Sequence, residues 1–172
     1  MPGTARPITL YGEPVLHAPC ATVTEFGDEL SALIDDMFAS MYAANGVGLA
    51  ANQIGVDARV FVYDCADETD EHRIGHVVNP VLEPAGLARE LDLDDEGCLS
   101  VPGEFAELGR PATATVTGVD KAGQPVTVTA GGMLGRCLQH EVDHLDGTVF
   151  VDRLPVKARR RILKAAGLGA HE

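Results

Sequence analysis

The sequence predicts an α+β domain: short, mostly antiparallel sheets packed around a central helix, with further helices near the two ends. Three observations predict it. Residues 28–44 carry apolar side chains at helical spacing. The middle of the chain breaks into short strand-like pieces, and residues 133–145 return to helical spacing. Strands first and a central helix late argue against a doubly wound parallel sheet. The 172 residues fit one domain spanning 1–172, with 156–172 as a C-terminal helix and tail.

Each element has its own reason. In the first helix Leu30, Leu33, Ile34, Met37, Phe38 and Met41 share one face. Asn45-Gly46 ends it, since Gly takes a left-handed conformation cheaply. Arg59 to Tyr63 is rich in β-branched and aromatic residues and reads as a strand. Residues 66–76 are polar and read as an exposed loop. Val77 to Pro80 reads as a short strand ending at the proline. Residues 112–119 and 125–129, separated by Asp120 to Gln124, read as a hairpin. Gly147 closes the central helix, and a last helix follows Pro155 over 156–166.

Composition narrows the function classes. A 45% hydrophobic fraction with no Trp and 5% aromatics demands a core of aliphatic and Ala side chains. A chain of this size buries roughly 70% of its unfolded surface, so no disulfide staple is needed. The net charge of −13 disfavours DNA and anionic membrane surfaces. No apolar run reaches the ~18 residues of a membrane helix, and the first residues lack a secretory-type apolar core. A cytoplasmic location is expected. Cys20, Cys65, Cys98 and Cys137 form no CxxC pair, which suits free thiols, or one thiolate as a metal ligand.

The decisive stretch is His140-Glu141-Val142-Asp143-His144, an H-E-x-x-H motif on a predicted helix. Positions i and i+4 share a face, so both imidazoles can meet one ion, with the Glu141 carboxylate beside a coordinated water. The bland alternative is a chance match on a polar surface, but two imidazoles among apolar neighbours need a partner.

A catalytic site needs a third ligand. The only Glu or His residues after His144 are His171 and Glu172; Asp146 and Asp152 lie close behind the helix. An upstream ligand is favoured. Cys137 stands seven residues before His144, a rise of ~10.5 Å. Ligand atoms of one ion sit within ~4 Å of each other, so Cys137 reads better as a small core residue. Cys98, in Glu96-Gly97-Cys98-Leu99-Ser100-Val101-Pro102, leads the remaining candidates by a modest margin.

Three segments together resemble the peptide deformylase family. They are Gly46-Val47-Gly48-Leu49-Ala50-Ala51-Asn52-Gln53, the Glu96 to Pro102 stretch, and Gln139 to Gly147 around the H-E-x-x-H motif. The resemblance covers roughly residues 5–155, and the three in this order are highly specific. It implies Cys98, His140 and His144 as ligands of one divalent metal. The family uses ferrous iron in the cell and often tolerates zinc, nickel or cobalt, so the resemblance implies ferrous iron here. It implies Glu141 as the catalytic carboxylate. Gln53 and the Leu99 backbone N–H become donors to the reacting oxygen.

The implied substrates are N-formyl-methionyl peptides. Gly46, Val47 and Gly48 would offer backbone for the substrate to pair with as an added strand. Arg136 and Cys137 would line the side-chain pocket with Met133 and His140. Arg136 departs from the apolar residue common at its position: either its stem lines the rim with the charge in water, or substrate choice is altered. The resemblance implies that Glu96 pairs with Arg110, against the alternative of a solvated acid in the run Asp92, Asp94, Asp95, Glu96.

Residues 157–164 hold Lys157, Arg159, Arg160, Arg161 and Lys164, five of the chain's 13 basic residues. An exposed basic helix is the default, and docking on ribosomal RNA is the alternative. Two rival functions remain at this level. One is a zinc endopeptidase, weakened by the missing downstream ligand. The other is a non-catalytic metal-stabilised binding module, in which Glu141 and Gln53 would have no special purpose.

Overall fold

A computed structural model describes residues 3–84 and 90–171. The elements run α1 (Asp28–Ala43), β1 (Gly48–Ala50), β2 (Val60–Ala66), β3 (His72–Leu82), β4 (Leu91–Cys98), β5 (Val101–Pro111), β6 (Thr113–Val119), β7 (Pro125–Gly131), α2 (Gly132–Leu145) and α3 (Val156–Ala165). Five strands form one antiparallel sheet in the order β1-β2-β3-β6-β7, and β4-β5 form a separate two-stranded ribbon. The architecture is the α+β arrangement expected.

Strand alternation explains the layering. On β2, Phe61, Tyr63 and Cys65 point to one face and pack with Leu134, Leu138, Val142 and Leu145 of α2. Val60 and Val62 point to the other and pack with Ile34, Met37, Phe38 and Met41 of α1. The sheet therefore lies between two helices, and α2 is buried along nearly its whole length. A third cluster joins Val101 and Leu108 of β5 to Ile162 and Leu163 of α3, through Val149, Phe150 and Val151.

Three local expectations need correction. Asn45, at φ 58°, rather than Gly46, takes the left-handed position after α1; a short polar side chain tolerates it. Residues 72–76 are not loop but the first half of β3, since its backbone pairs with β2 from Val60↔Val78 to Ala66↔His72 and its polar side chains need only one wet face. Pro80 does not end that strand: it lies at a bulge between Val78 and Val81, where no ladder N–H is required. The β4–β5 ribbon was not anticipated at all.

Helix α2 approaches the end of β7 closely at Gly135, where an added Cβ would lie 2.5 Å from the Ala130 carbonyl oxygen. That contact is with backbone and cannot yield by a rotamer change. Gly135→Ala is therefore expected to destabilise by about 1–3 kcal/mol and to displace the helix that carries both histidines. Thermal melts with metal analysis check this; unchanged stability and metal content would contradict it.

Candidate active site

Two elements meet at one point. His140 and His144 come from one face of α2, and their Nε2 atoms lie 3.1 Å apart. Cys98 comes from the end of β4, where the register shifts between Gly97 and Cys98, and its Sγ lies 3.2 Å from His144 Nε2. The three donor atoms all fall within 4.8 Å of one another. The other third-ligand candidates face elsewhere. Cys20 and Cys65 belong to the core between α2 and the sheet. Asp146 accepts from Arg59, and Asp152 from the Tyr11 hydroxyl and the Val149 N–H. Glu172 and the His171 side chain lie outside the described residues.

The donor set fits a divalent cation. His140 Nδ1 bonds Glu96 Oε2 at 2.7 Å, which turns Nε2 to the centre. Burial works against charge on His140, yet Glu141, Cys98 and Glu96 lift its pKa well above the usual range. Burial and the neighbouring His140 push His144 well below it. A cation among one sulfur and two ring nitrogens satisfies all three donors at once.

Glu141 is buried beside them, and its Oε1 has no hydrogen-bond partner among the described residues. Burial pushes its carboxyl up to about 7, in the range of a useful general base. Gln53, also buried, has a fixed orientation. Its Oε1 accepts the Ala50 N–H at 3.0 Å, so Nε2 faces Ser100 Oγ at 3.2 Å and Cys98 Sγ at 3.5 Å. Leu99 follows the sulfur in the β4–β5 turn.

Gln53, Cys98, Leu99, His140 and Glu141 border a cavity of about 720 Å³ that also touches Gly46, Val47, Gly48, Arg136 and Cys137. β1 is an edge strand, so its outer side is open to an added strand. A side chain at Gly48 would displace the site: a Cβ there would lie 2.5 Å from Cys137 Sγ and 2.6 Å from Glu141 Oε2, so one of these side chains would have to shift. Cys137 thus belongs to both the core and the cavity wall.

A family model described as polypeptide deformylase matches residues 5–160. The chain belongs to that family. Peptide deformylase 2 of Streptomyces coelicolor is 55% identical over 163 residues, covering 94% of this chain and 89% of its own length. The crystal structure of peptide deformylase from Ehrlichia chaffeensis matches with a TM-score of 0.85 at 34% identity, covering 95% of this chain and 96% of that one. A peptide deformylase from Synechococcus elongatus, in complex with actinonin, matches with a TM-score of 0.84 at 37% identity, over 93% and 86% of the two chains. Metal dependence is a property of the deformylase family, and the cysteine–histidine–histidine group here can hold an ion.

Within this deformylase fold, Glu96 is not a solvated member of the acidic run. It is buried and receives Arg110 through two bonds of 2.7 Å, Arg136 at 3.0 Å and His140 at 2.7 Å. Burial alone would raise its pKa; Arg110 and His140 outweigh that and hold it well below the usual carboxylate range. Arg110 continues to Asp143 at 3.1 Å, which also takes two bonds from Arg153. Of the two readings of Arg136, the one with its charge in water is corrected: its side chain is 10% exposed, because acidic and carbonyl partners surround it. Sequence reasoning missed Ser100, Asp143 and Arg153. Their one signal was position, inside or just after the two motifs.

Arg110→Met is expected to cost about 3–5 kcal/mol, because Glu96 and Asp143 stay buried without their cation; urea unfolding checks it. The pH dependence has a definite sign. A depressed Glu96 pKa adds stability that is complete above its unfolded value, ordinarily 4.5, and is lost as pH falls through the folded one. The wild-type melting temperature should therefore drop more steeply below about pH 4 than that of Glu96→Gln. Parallel curves would contradict this.

Proposed function

We propose that this chain is a metal-dependent hydrolase that removes the N-formyl group from the N-terminal methionine of newly synthesised proteins. Cys98, His140 and His144 would hold the metal. The observation that carries this reading is the convergence of three donor atoms beside the buried Glu141 carboxylate, whose Oε1 has no partner among the described residues, at the wall of one open cavity.

A divalent cation held there lowers the pKa of water and polarises a carbonyl oxygen. The chain's own groups do the rest. Glu141 removes the water proton and returns it to the departing amine. The Gln53 amide, oriented by the Ala50 N–H, donates to the developing oxyanion together with the Leu99 N–H. Gly46, Val47 and Gly48 pair with the substrate backbone at the open edge of β1. Cys137 and Arg136 line the side-chain pocket. A formyl carbon carries only hydrogen, so a cramped centre admits formyl and rejects acetyl.

One thiolate and two imidazoles accept several ions. Ferrous iron is the metal proposed for the cell, with zinc, nickel or cobalt able to replace it in preparations. The whole chain, 1–172, acts as one catalytic domain in the cytoplasm; no helix among the described residues is long and apolar enough to cross a membrane. On α3, Ile162 and Leu163 are buried while Lys157, Arg161 and Lys164 are exposed. That basic face supports docking on ribosomal RNA near the emerging chain; salt-sensitive cosedimentation with ribosomes tests it, and its persistence without residues 156–172 would refute it.

The reaction is tested by anaerobic assay of formyl-Met-Ala-Ser, acetyl-Met-Ala-Ser and casein, with metal analysis of the same sample. Turnover of the formyl peptide alone is expected; casein cleavage without deformylation would favour an endopeptidase. Glu141→Ala should retain metal and lose about 10²–10⁴ in rate. Cys98→Ala should lose metal. Near-normal turnover in either variant would contradict the assigned roles.

A further inference from the structure

The β4–β5 ribbon is hydrogen-bonded only to itself among the described strands, and two strands alone are marginal in water. Its outer face is bare: Leu91 is 57% exposed and Leu93 65%. Its inner face carries Asp92, Glu96 and Arg110 toward α2. The Cys98 end is fixed through Ser100 and Gln53, and the middle through Glu96 and Arg110. Asp92 lies six residues before Cys98, roughly 20 Å along an extended strand.

Arg136 of α2 reaches that far end. Its Nη2 donates to the Asp92 carbonyl at 2.8 Å and to Asp92 Oδ2 at 3.1 Å. Its Nη1 donates to the Leu108 carbonyl at 2.9 Å and to Glu96 Oε1 at 3.0 Å. Four N–H bonds thus go to both strands of the ribbon. Asp92, Glu96, Phe105 and Arg136 all line the cavity.

Resting on the deformylase reading, we infer that Arg136 is a positioning residue. It clamps the distal half of the ribbon as the outer wall of the substrate cavity, and so sets the width of the pocket for the first side chain. Its charge lies between the carboxylates of Asp92 and Glu96 and is spent there. The wall it offers selects a neutral side chain and gives no attraction to an anionic one. Asp92 is the partner through which the clamp can be probed, since its side chain is 42% exposed and its replacement leaves the Glu96–His140 bond in place.

The test is steady-state kinetics of the metal-loaded enzyme on formyl-Met-Ala-Ser, with Asp92→Ala, Asp92→Asn, Arg136→Leu and the double variant. A misplaced wall should raise KM about tenfold in Asp92→Ala and Arg136→Leu, with a smaller change in kcat. Asp92→Asn keeps an acceptor oxygen and should restore most of the loss. The double variant should be no worse than Arg136→Leu. Wild type should process formyl-Gln-Ala-Ser at least as well as formyl-Glu-Ala-Ser.

An unaltered KM in Asp92→Ala would overturn the inference, as would additive losses in the double variant or a preference for the Glu peptide. So would a loss confined to kcat and metal content. Should Arg136→Leu fail to fold, the two Asp92 variants decide. Lack of formyl-peptide turnover by wild type would sink the deformylase reading and this inference together; wild-type turnover with an unaltered KM in Asp92→Ala would sink the inference alone.

Discussion

The Glu96 carboxylate ties two parts of the molecule that share no backbone ladder. The ribbon delivers Cys98 and α2 delivers the two histidines. Glu96 joins them by taking Arg110 from the ribbon and His140 and Arg136 from the helix. Its bond to His140 Nδ1 sets the ring so that Nε2 faces the other donors. Burying so many charges is costly, and the arrangement holds because each carboxylate oxygen is matched. Asp143 repeats the device one helical turn on, between Arg110 and Arg153.

The same site carries unmet demands. Glu141 Oε1 and His144 Nδ1 are buried without hydrogen-bond partners among the described residues. A methyl group on Gly48 would force the Cys137 or Glu141 side chain to shift. Such features lower stability and persist because packing around them is firm. Here α2 supplies that firmness, pressed on the sheet by Leu134, Leu138, Val142 and Leu145.

Much of this was legible in the sequence, for physical reasons. The spacing of His140 and His144 is local, so one helix face decides it. The alternation of 112–119 and 125–129 is also local. Cys98 could be favoured by elimination and then by resemblance, but its approach to the histidines depends on a fold that brings distant segments together. The ribbon was illegible because its pattern is inverted. Leu91 and Leu93 face water, while Asp92 and Glu96 face inward to arginines. A charge run then reads as a solvated surface. Arg136 misled for the same reason: a lone basic residue gives no sign of the acids waiting for it.

X-ray absorption at the metal edge of anaerobically purified protein tests the central claim most directly. The account predicts one sulfur and two imidazole nitrogens around the ion. A wild-type ion without sulfur, or one with two sulfurs as if Cys137 had joined, would contradict it.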